Sequence, residues 1–357
     1  MKPTTKTFTT TDQDLEALQG KRVAVIGYGS QGRGQSLNLR DSGIDVVLGL
    51  RPNGGSWQTA LQDGWEPLSI EQAVADADLV CLLLPDMQQP KVYREQVAPF
   101  LKPDAAVMFS HGFNVLYQSI EVAQDHDVVM VAPKGPGSIV RREYVNGCGV
   151  PCLIAIDQDA SGMAKQKCLA YAHATGCGRA GVLETTFQEE TETDLFGEQV
   201  VLCGGLGELI KAGWETLVEA GYSPEIAYFE CLHETKLIVD LIYEGGLAKM
   251  HQFISDTAQY GALTSGTRIV NQETRQRMKE VLADIQQRKF ATQWQQEFNA
   301  GEVNYRRMLD DELAHDIETV GKNLRQHFSW LDPQPTSPQT HDGSGNEQST
   351  CMETTQR

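Results

Sequence analysis

Two pairs of acids stand out by spacing: Asp194 and Glu198 in "ETETDLFGEQ", then Glu230 and Glu234 in "ECLHETKLIVDLIYEGG". On a helix, residues four apart face the same way, and like charges there repel by a few tenths of a kcal/mol even on a wet surface. In a drier place the penalty grows unless a cation is present. All-oxygen ligation without Cys or His selects hard cations, Mg²⁺ first and Mn²⁺ second. With 48 acids in the chain, some pairs fall at this spacing by chance on solvated faces. Against that, both segments are apolar nearly all round, which leaves their acids little room on a wet face.

A second chemistry is written in "VAVIGYGSQGRG", where Gly27, Gly29 and Gly32 form a Gly-x-Gly-x-x-Gly turn between a strand-like and a helix-like run. The first glycine permits the tight turn, the second lets a pyrophosphate approach the backbone, and the third allows close helix–sheet packing. The helix N-terminus offers its N–H groups to the anion. At the end of the next strand, a carboxylate would hold the ribose 2′-hydroxyl of NAD, whereas a cation would accept the 2′-phosphate of NADP. The loop "GLRPNGGSW" has Arg51 and Ser56 and no acid, which favours NADP(H).

Three further strand ends carry polar residues: "LPDMQQP" with Asp86, "SHGFN" with His111, and "PKGPG" with Lys134. Ligands of open α/β sheets bind beyond the C-terminal strand ends, so cations or donors there would suit an oxyanion or a polarised carbonyl.

The elements that must position these groups fall into two kinds. From 22 to about 156, apolar runs such as "RVAVIGYG", "ADLVCLLLP" and "DVVMVAPKG" alternate with helix-compatible spacers. Continuous Val/Ile/Leu runs mark strands buried on both faces, so the fold class is α/β, a Rossmann-type doubly wound parallel sheet. After about 185 the rhythm turns helical, with Ser223 as N-cap, Pro224 at N1 and Gly245–Gly246 as a stop. We therefore expect a cofactor-binding domain over 1–184, an all-α metal and substrate domain over 185–331, and a disordered Pro/Ser/Thr/Gln-rich tail over 332–357.

Composition narrows the partners. The formal charge of −18, with scattered Lys and Arg, argues against nucleic acid and anionic membranes. No apolar run approaches the roughly 18 residues that span a bilayer. The N-terminus has neither secretory nor transit character, and none of the eight Cys lies in a Cys-x-x-Cys pair, so a cytoplasmic protein with reduced thiols is expected.

Over about residues 12–331 the chain resembles ketol-acid reductoisomerase, also called acetohydroxyacid isomeroreductase, through the motifs already quoted together with "LRDSG", "VRREY", "MKEVLADIQ" and "IETVGKNLR". Its length resembles the short class I form. The resemblance implies a knotted helical domain and a homo-oligomer, a dimer or larger, with shared sites. Asp194 and Glu198 would ligate one Mg²⁺, with Asp194 bridging to a second, while Glu230 and Glu234 would reach the site of a partner copy. Ser255 matches a substrate-contacting serine, and His111 and Lys134 match polar residues near the nicotinamide and metals. Gly27, Tyr28, Gly29, Ser30, Gln31, Gly32, Arg51, Ser56, Asp86 and Gly137 make up the cofactor-binding set.

The implied reaction converts 2-acetolactate, or 2-aceto-2-hydroxybutyrate, to a 2,3-dihydroxy-3-methyl acid in valine, leucine and isoleucine synthesis. It uses NADPH and two Mg²⁺, and either Glu234 or water on a metal carries the proton. Two departures stand out: a glycine, Gly54 or Gly55, where a serine is common, which allows NADH use, and Gln259 in "AQYG" where the family usually has Glu. The rival readings are a metal-independent NAD(P)-dependent hydroxyacid dehydrogenase and a non-catalytic dinucleotide sensor.

Overall fold

The computed structural model describes residues 5–10 and 12–328, so the tail expected over 332–357 lies outside the described residues. Two compact units part between Thr191 and Glu192. The first is α/β, of Rossmann type; the second is helical.

The first unit is built on strands β1 (Thr7–Phe8), β2 (Arg22–Ile26), β3 (Asp45–Gly49), β4 (Leu79–Leu82), β5 (Ala106–Phe109), β6 (Asp127–Pro133), β7 (Cys152–Gln158) and β8 (Val182–Glu184). They form one sheet in the order β1-β8-β7-β6-β5-β4-β2-β3. The chain leaves β2, pairs β3 on one side, then crosses to β4 on the other, and all three run parallel. That reversal is the switch point where ligands of such sheets bind. Val23 through Ile26, Leu79 through Leu82 and Ala106 through Phe109 are all buried, as their unbroken apolar runs predict. Each large side chain so buried contributes about 1.5–3 kcal/mol relative to exposure.

The sheet is mixed rather than wholly parallel. β7 runs antiparallel to β6, with an irregularity between Val128 and Val129, and the short β1 runs antiparallel to β8. The expectation of a parallel sheet throughout is corrected here, since β7 is parallel only to β8. An apolar run reports that both faces are covered, not which way the neighbour runs.

Helices α1 (Ser30–Asp41), α2 (Gly55–Gln62), α3 (Ile70–Ala75), α4 (Gln89–Val92), α5 (Phe113–Leu116), α6 (Gly137–Val145) and α7 (Ala164–Ala174) complete this unit. Helix α8 (Phe187–Gly197) runs through the division between units. α7 packs against both β6 and β7. Six described cysteines are free thiols, and Cys81, Cys152, Cys168 and Cys177 among them are buried.

The second unit carries α9 (Gly204–Glu219), α10 (Pro224–Tyr228), α11 (Glu234–Phe253), α12 (Asp256–Ile269), α13 (Gln272–Gln286), α14 (Lys289–Asn299), α15 (Val303–Leu313) and α16 (Asp316–Arg325). Pro224 is at N1 after Ser223, as expected, but the Ser223 hydroxyl donates to Glu225 (2.6 Å) instead of capping the backbone. α11 breaks at Gly245 and Gly246 and then resumes; Gly246, at φ 71° and ψ −173°, is in a conformation open to little but glycine. A small core forms where Trp214, Ala227, Tyr228 and Ile317 meet, tied by Trp214 Nε1 donating to the Pro224 carbonyl (3.0 Å). Elsewhere large apolar side chains stay open, Tyr243 at 89% and Tyr260 at 74% exposure among them. Among the described residues, no helix is long and apolar enough to cross a membrane.

Candidate functional site

The glycine turn closes over the end of β4. Gly27 has φ +104°, and a Cβ there would stand 2.8 Å from the Leu83 carbonyl oxygen. A Cβ on Gly32 would collide with the Gly27 carbonyl, so the third glycine lets α1 start directly against the turn. No side chain caps the N-terminus of α1. Beside it lies a cavity of about 670 Å³ whose walls come from the glycine turn, residues 49–56, Ser69–Glu71 and Leu83–Pro85.

Gly27, Tyr28, Gly29, Ser30, Gln31, Arg51 and Ser56 all line this cavity. Gly32, Asp86 and Gly137 do not. Gly137 instead packs where any Cβ would strike the Ser30 carbonyl, which holds α6 against the turn. Gln31 Nε2 donates to the Gly135 carbonyl (2.8 Å) and Gln35 Nε2 to Gln31 Oε1 (2.9 Å), while Tyr171 donates to Gln35 (2.8 Å). This buried chain ties the glycine turn to the loop that carries Lys134. Glu71, absent from the expected set, reaches the same cavity from the first turn of α3. A carboxylate in that wall opposes a 2′-phosphate and tolerates a 2′-hydroxyl. Only the fold brings it into the same cavity wall as Arg51.

At the neighbouring strand ends, Lys134 Nζ pairs with Glu190 Oε1 at 2.8 Å, and the Gly112 N–H donates to Glu190 Oε2 at 3.2 Å. The Glu190 side chain is 1% exposed. A buried carboxylate persists there because a cation and a backbone donor satisfy it. His111 stacks on Phe113, and its Nδ1 stands 4.0 Å from Asp86 Oδ2. His111 and Glu190 bring ligand-type atoms within 4.8 Å of each other, and Asp194 follows one turn on in α8. Glu190 was missed, although it extends the Asp194–Glu198 spacing back by one turn. That third member of the row was its visible signal.

The expected metal acids lie where the helices change pitch. Glu198 opens a five-residue π-helical turn, Glu198–Leu202, Glu230 is the second residue of another, Phe229–His233, and Glu234 begins α11. Such turns insert a residue into a helix and recur at functional sites. Glu198, Glu230 and Glu234 are exposed in a single chain, not lodged in a dry interior as their apolar segments suggested. The reason is that those segments leave their own apolar faces open, Leu237 and Tyr243 included. Ser255 caps α12, its Oγ accepting from the Ala258 N–H (3.2 Å). Gln259, the departure noted above, braces the same turn by donating to the His251 carbonyl (2.8 Å).

Residues 17–181 match the family model described as acetohydroxy acid isomeroreductase, NADPH-binding domain, and residues 187–330 match ketol-acid reductoisomerase, C-terminal domain. Among solved structures, an NADH-preferring ketol-acid reductoisomerase from an uncultured archean is 45% identical, covering 90% of this chain and 99% of that one at a TM-score of 0.88. A semialdehyde dehydrogenase NAD-binding protein from Cupriavidus necator is 19% identical over 75% of this chain and 99% of that one, at 0.58. A pyrroline-5-carboxylate reductase from Coxiella burnetii is 15% identical over 74% and 95%, at 0.51. The last two likenesses are of fold alone.

Proposed function

This chain belongs to the ketol-acid reductoisomerase family, and from that premise we propose how its residues divide the reaction. As a member it is an isomerising oxidoreductase of branched-chain amino-acid biosynthesis, acting on a small-molecule substrate with a nicotinamide cofactor. When bound, NADPH would supply the hydride, and two Mg²⁺ would polarise the ketone of an acetohydroxy acid.

The observation that carries the residue assignments is the acid row of α8, Glu190 to Asp194, anchored at one end by Lys134 and the Gly112 N–H. Asp194 and Glu198, with the partner subunit's Glu230 and Glu234, would hold the metals, a donor set of carboxylate oxygens that suits Mg²⁺. Lys134, already oriented by Glu190, presents a fixed ammonium to charge developing on substrate oxygen. His111 stands beside it as a donor to the same region. Glu234, or water beside it, moves the proton, and Ser255 contacts substrate at the start of α12.

On the cofactor side, the glycine turn receives the pyrophosphate at the start of α1. Arg51 and Ser56 read the 2′-phosphate, with Glu71 as a counterweight. NADPH is therefore the preferred cofactor and NADH an accepted one, a preference opposite to that of the relative described as NADH-preferring. The open apolar faces of the second unit support a homodimer or larger assembly with shared sites. Free thiols at Cys81, Cys152, Cys168 and Cys177 suit the cytoplasm.

NADPH oxidation with 2-acetolactate, run with Mg²⁺ and again with EDTA, then repeated with NADH, tests this reading. Turnover should need Mg²⁺ and proceed faster with NADPH. Turnover that survives EDTA would instead favour the metal-independent hydroxyacid dehydrogenase.

A further inference from the structure

We infer that Tyr28, Arg33, Asp63 and Trp65 form a clasp that positions the two walls of the cofactor cavity relative to each other. Tyr28 belongs to the glycine turn, lines the cavity and is buried. Its hydroxyl donates to Asp63 Oδ2 (2.9 Å) and accepts from Trp65 Nε1 (2.8 Å), so its donor and an acceptor site are both used within the protein. Arg33, in the first turn of α1, grips the same carboxylate with two prongs: Nε to Oδ2 at 2.6 Å and Nη2 to Oδ1 at 2.8 Å. At the far end of α1, Arg40 donates to the Asp63 carbonyl (2.9 Å) and lies over the Trp65 ring at 4.7 Å. The whole length of α1 thus grips one short segment, Asp63–Trp65.

That segment matters because Asp63 is the C-terminal cap of α2, whose N-terminal end begins in the wall at Gly54–Ser56. Within α2, Ala60 is fully buried and Trp57 packs half-buried against the core, while Leu61 is exposed, so apolar packing anchors this helix only in part. The polar clasp supplies the rest. A helix held at one end carries its other end with it, so the clasp sets the gap between the pyrophosphate turn and the loop of Arg51 and Ser56.

The charge states are steady at neutral pH. The bond from Arg33 holds the Asp63 carboxyl below its ordinary range against the opposing effect of burial, and burial with the Asp63 bond pushes the Tyr28 hydroxyl well up. Bidentate arginine–carboxylate pairs fix direction as well as distance, which suits a positioning role. The inference rests on reading Arg51–Ser56 as the ribose end of the cavity.

The test is equilibrium titration of NADPH and NADH by nicotinamide fluorescence, without Mg²⁺ or substrate, on the full-length protein. Asp63→Asn should raise the NADPH dissociation constant about tenfold and narrow the preference over NADH; in separate turnover assays with Mg²⁺ and 2-acetolactate the effect should fall on KM for NADPH, with kcat changing less than about twofold. Asp63→Glu, which keeps the charge, should recover part of the affinity. Tyr28→Phe, a milder change if Asp63→Asn folds poorly, should raise the constant about threefold. Wild-type affinity for both cofactors in Asp63→Asn or Tyr28→Phe, even with a lowered melting temperature, would overturn the clasp as a positioning device. Arg51→Ala in the same titration reports on the loop separately. If it leaves binding unchanged while Asp63→Asn weakens it, the ribose-end reading fails and the clasp stands as support for the glycine turn.

Discussion

Up to Thr191 the chain uses its apolar side chains on itself: both faces of the sheet are covered, and the cofactor cavity is walled by the unit's own loops. From Glu192 onward the balance is reversed. Leu202, Leu237, Tyr243, Leu263 and Ile269 are exposed, and the acids Glu198, Glu230 and Glu234 are exposed with them. On the reading proposed above, a cofactor half complete in one chain accompanies a chemical half whose exposed apolar faces and acids would be completed by a second copy. Binding and catalysis would then answer to different levels of assembly, and each half can be broken separately.

The largest effect should come from the chemical half. Asp194→Asn, which removes one negative ligand, should lower 2-acetolactate turnover at least a hundredfold at ordinary Mg²⁺. Reduction of a 2-keto acid that needs no rearrangement should fall less, and NADPH binding should not change. Unaltered isomerisation would remove Asp194 from the metal site and blur the contrast.

A self-contained half should also owe its stability to contacts within one chain. The Asp127 side chain, 1% exposed, meets Lys167 at 2.7 Å and the Ser161 hydroxyl and N–H at 2.7 and 2.9 Å. Burial alone would raise its carboxyl, but Lys167 and Ser161 together hold it below its ordinary value. Because the folded pKa is depressed, this stabilisation is present above the ordinary carboxylate range, near pH 4, and is lost as pH falls through the folded value. Lys167→Met should cost about 3 kcal/mol at neutral pH and flatten the acid limb of the stability curve. Thermal melts at pH 7 and at pH 3, over a range of protein concentrations, check both the size and the single-chain origin.

A smaller change separates the cofactors. Arg51→Ala should weaken NADPH about tenfold and leave NADH nearly unchanged, as expected for one charge-assisted contact to a 2′-phosphate. Equal losses on both, read by KM, would remove Arg51 as the discriminating residue and throw the weight onto Ser56 and Glu71.

How much of this could be read from residues alone follows the same divide. The runs that became β2, β4 and β6 were legible because two-sided burial demands unbroken Val, Ile and Leu. The direction of β7 was not, since strand pairing leaves no mark within the run itself. β1 and β8, at two and three residues, are too short for any pattern. In the site, the glycine turn and Arg51 could be placed from local spacing, because their geometry is set within a few residues. Glu71 and the partnership of Glu190 with Lys134 could not, because they join segments far apart in the chain. The π-helical turns at Glu198 and Glu230 escaped notice for another reason: one extra residue per turn leaves an apolar helix looking like an apolar helix. The exposure of those acids in one chain was not legible either, because a greasy segment predicts covering without saying which copy of the chain would supply it.

Mixing two inactive variants tests the central claim most directly. Asp194→Asn and Glu234→Gln, purified apart, dissociated and reassembled in equal amounts, should recover about a quarter of wild-type turnover, since half the dimers are mixed and each of those holds one intact shared site. Activity no higher than the sum of the two variants alone, in a sample where mixed dimers are shown to form, would contradict a site completed by a second copy.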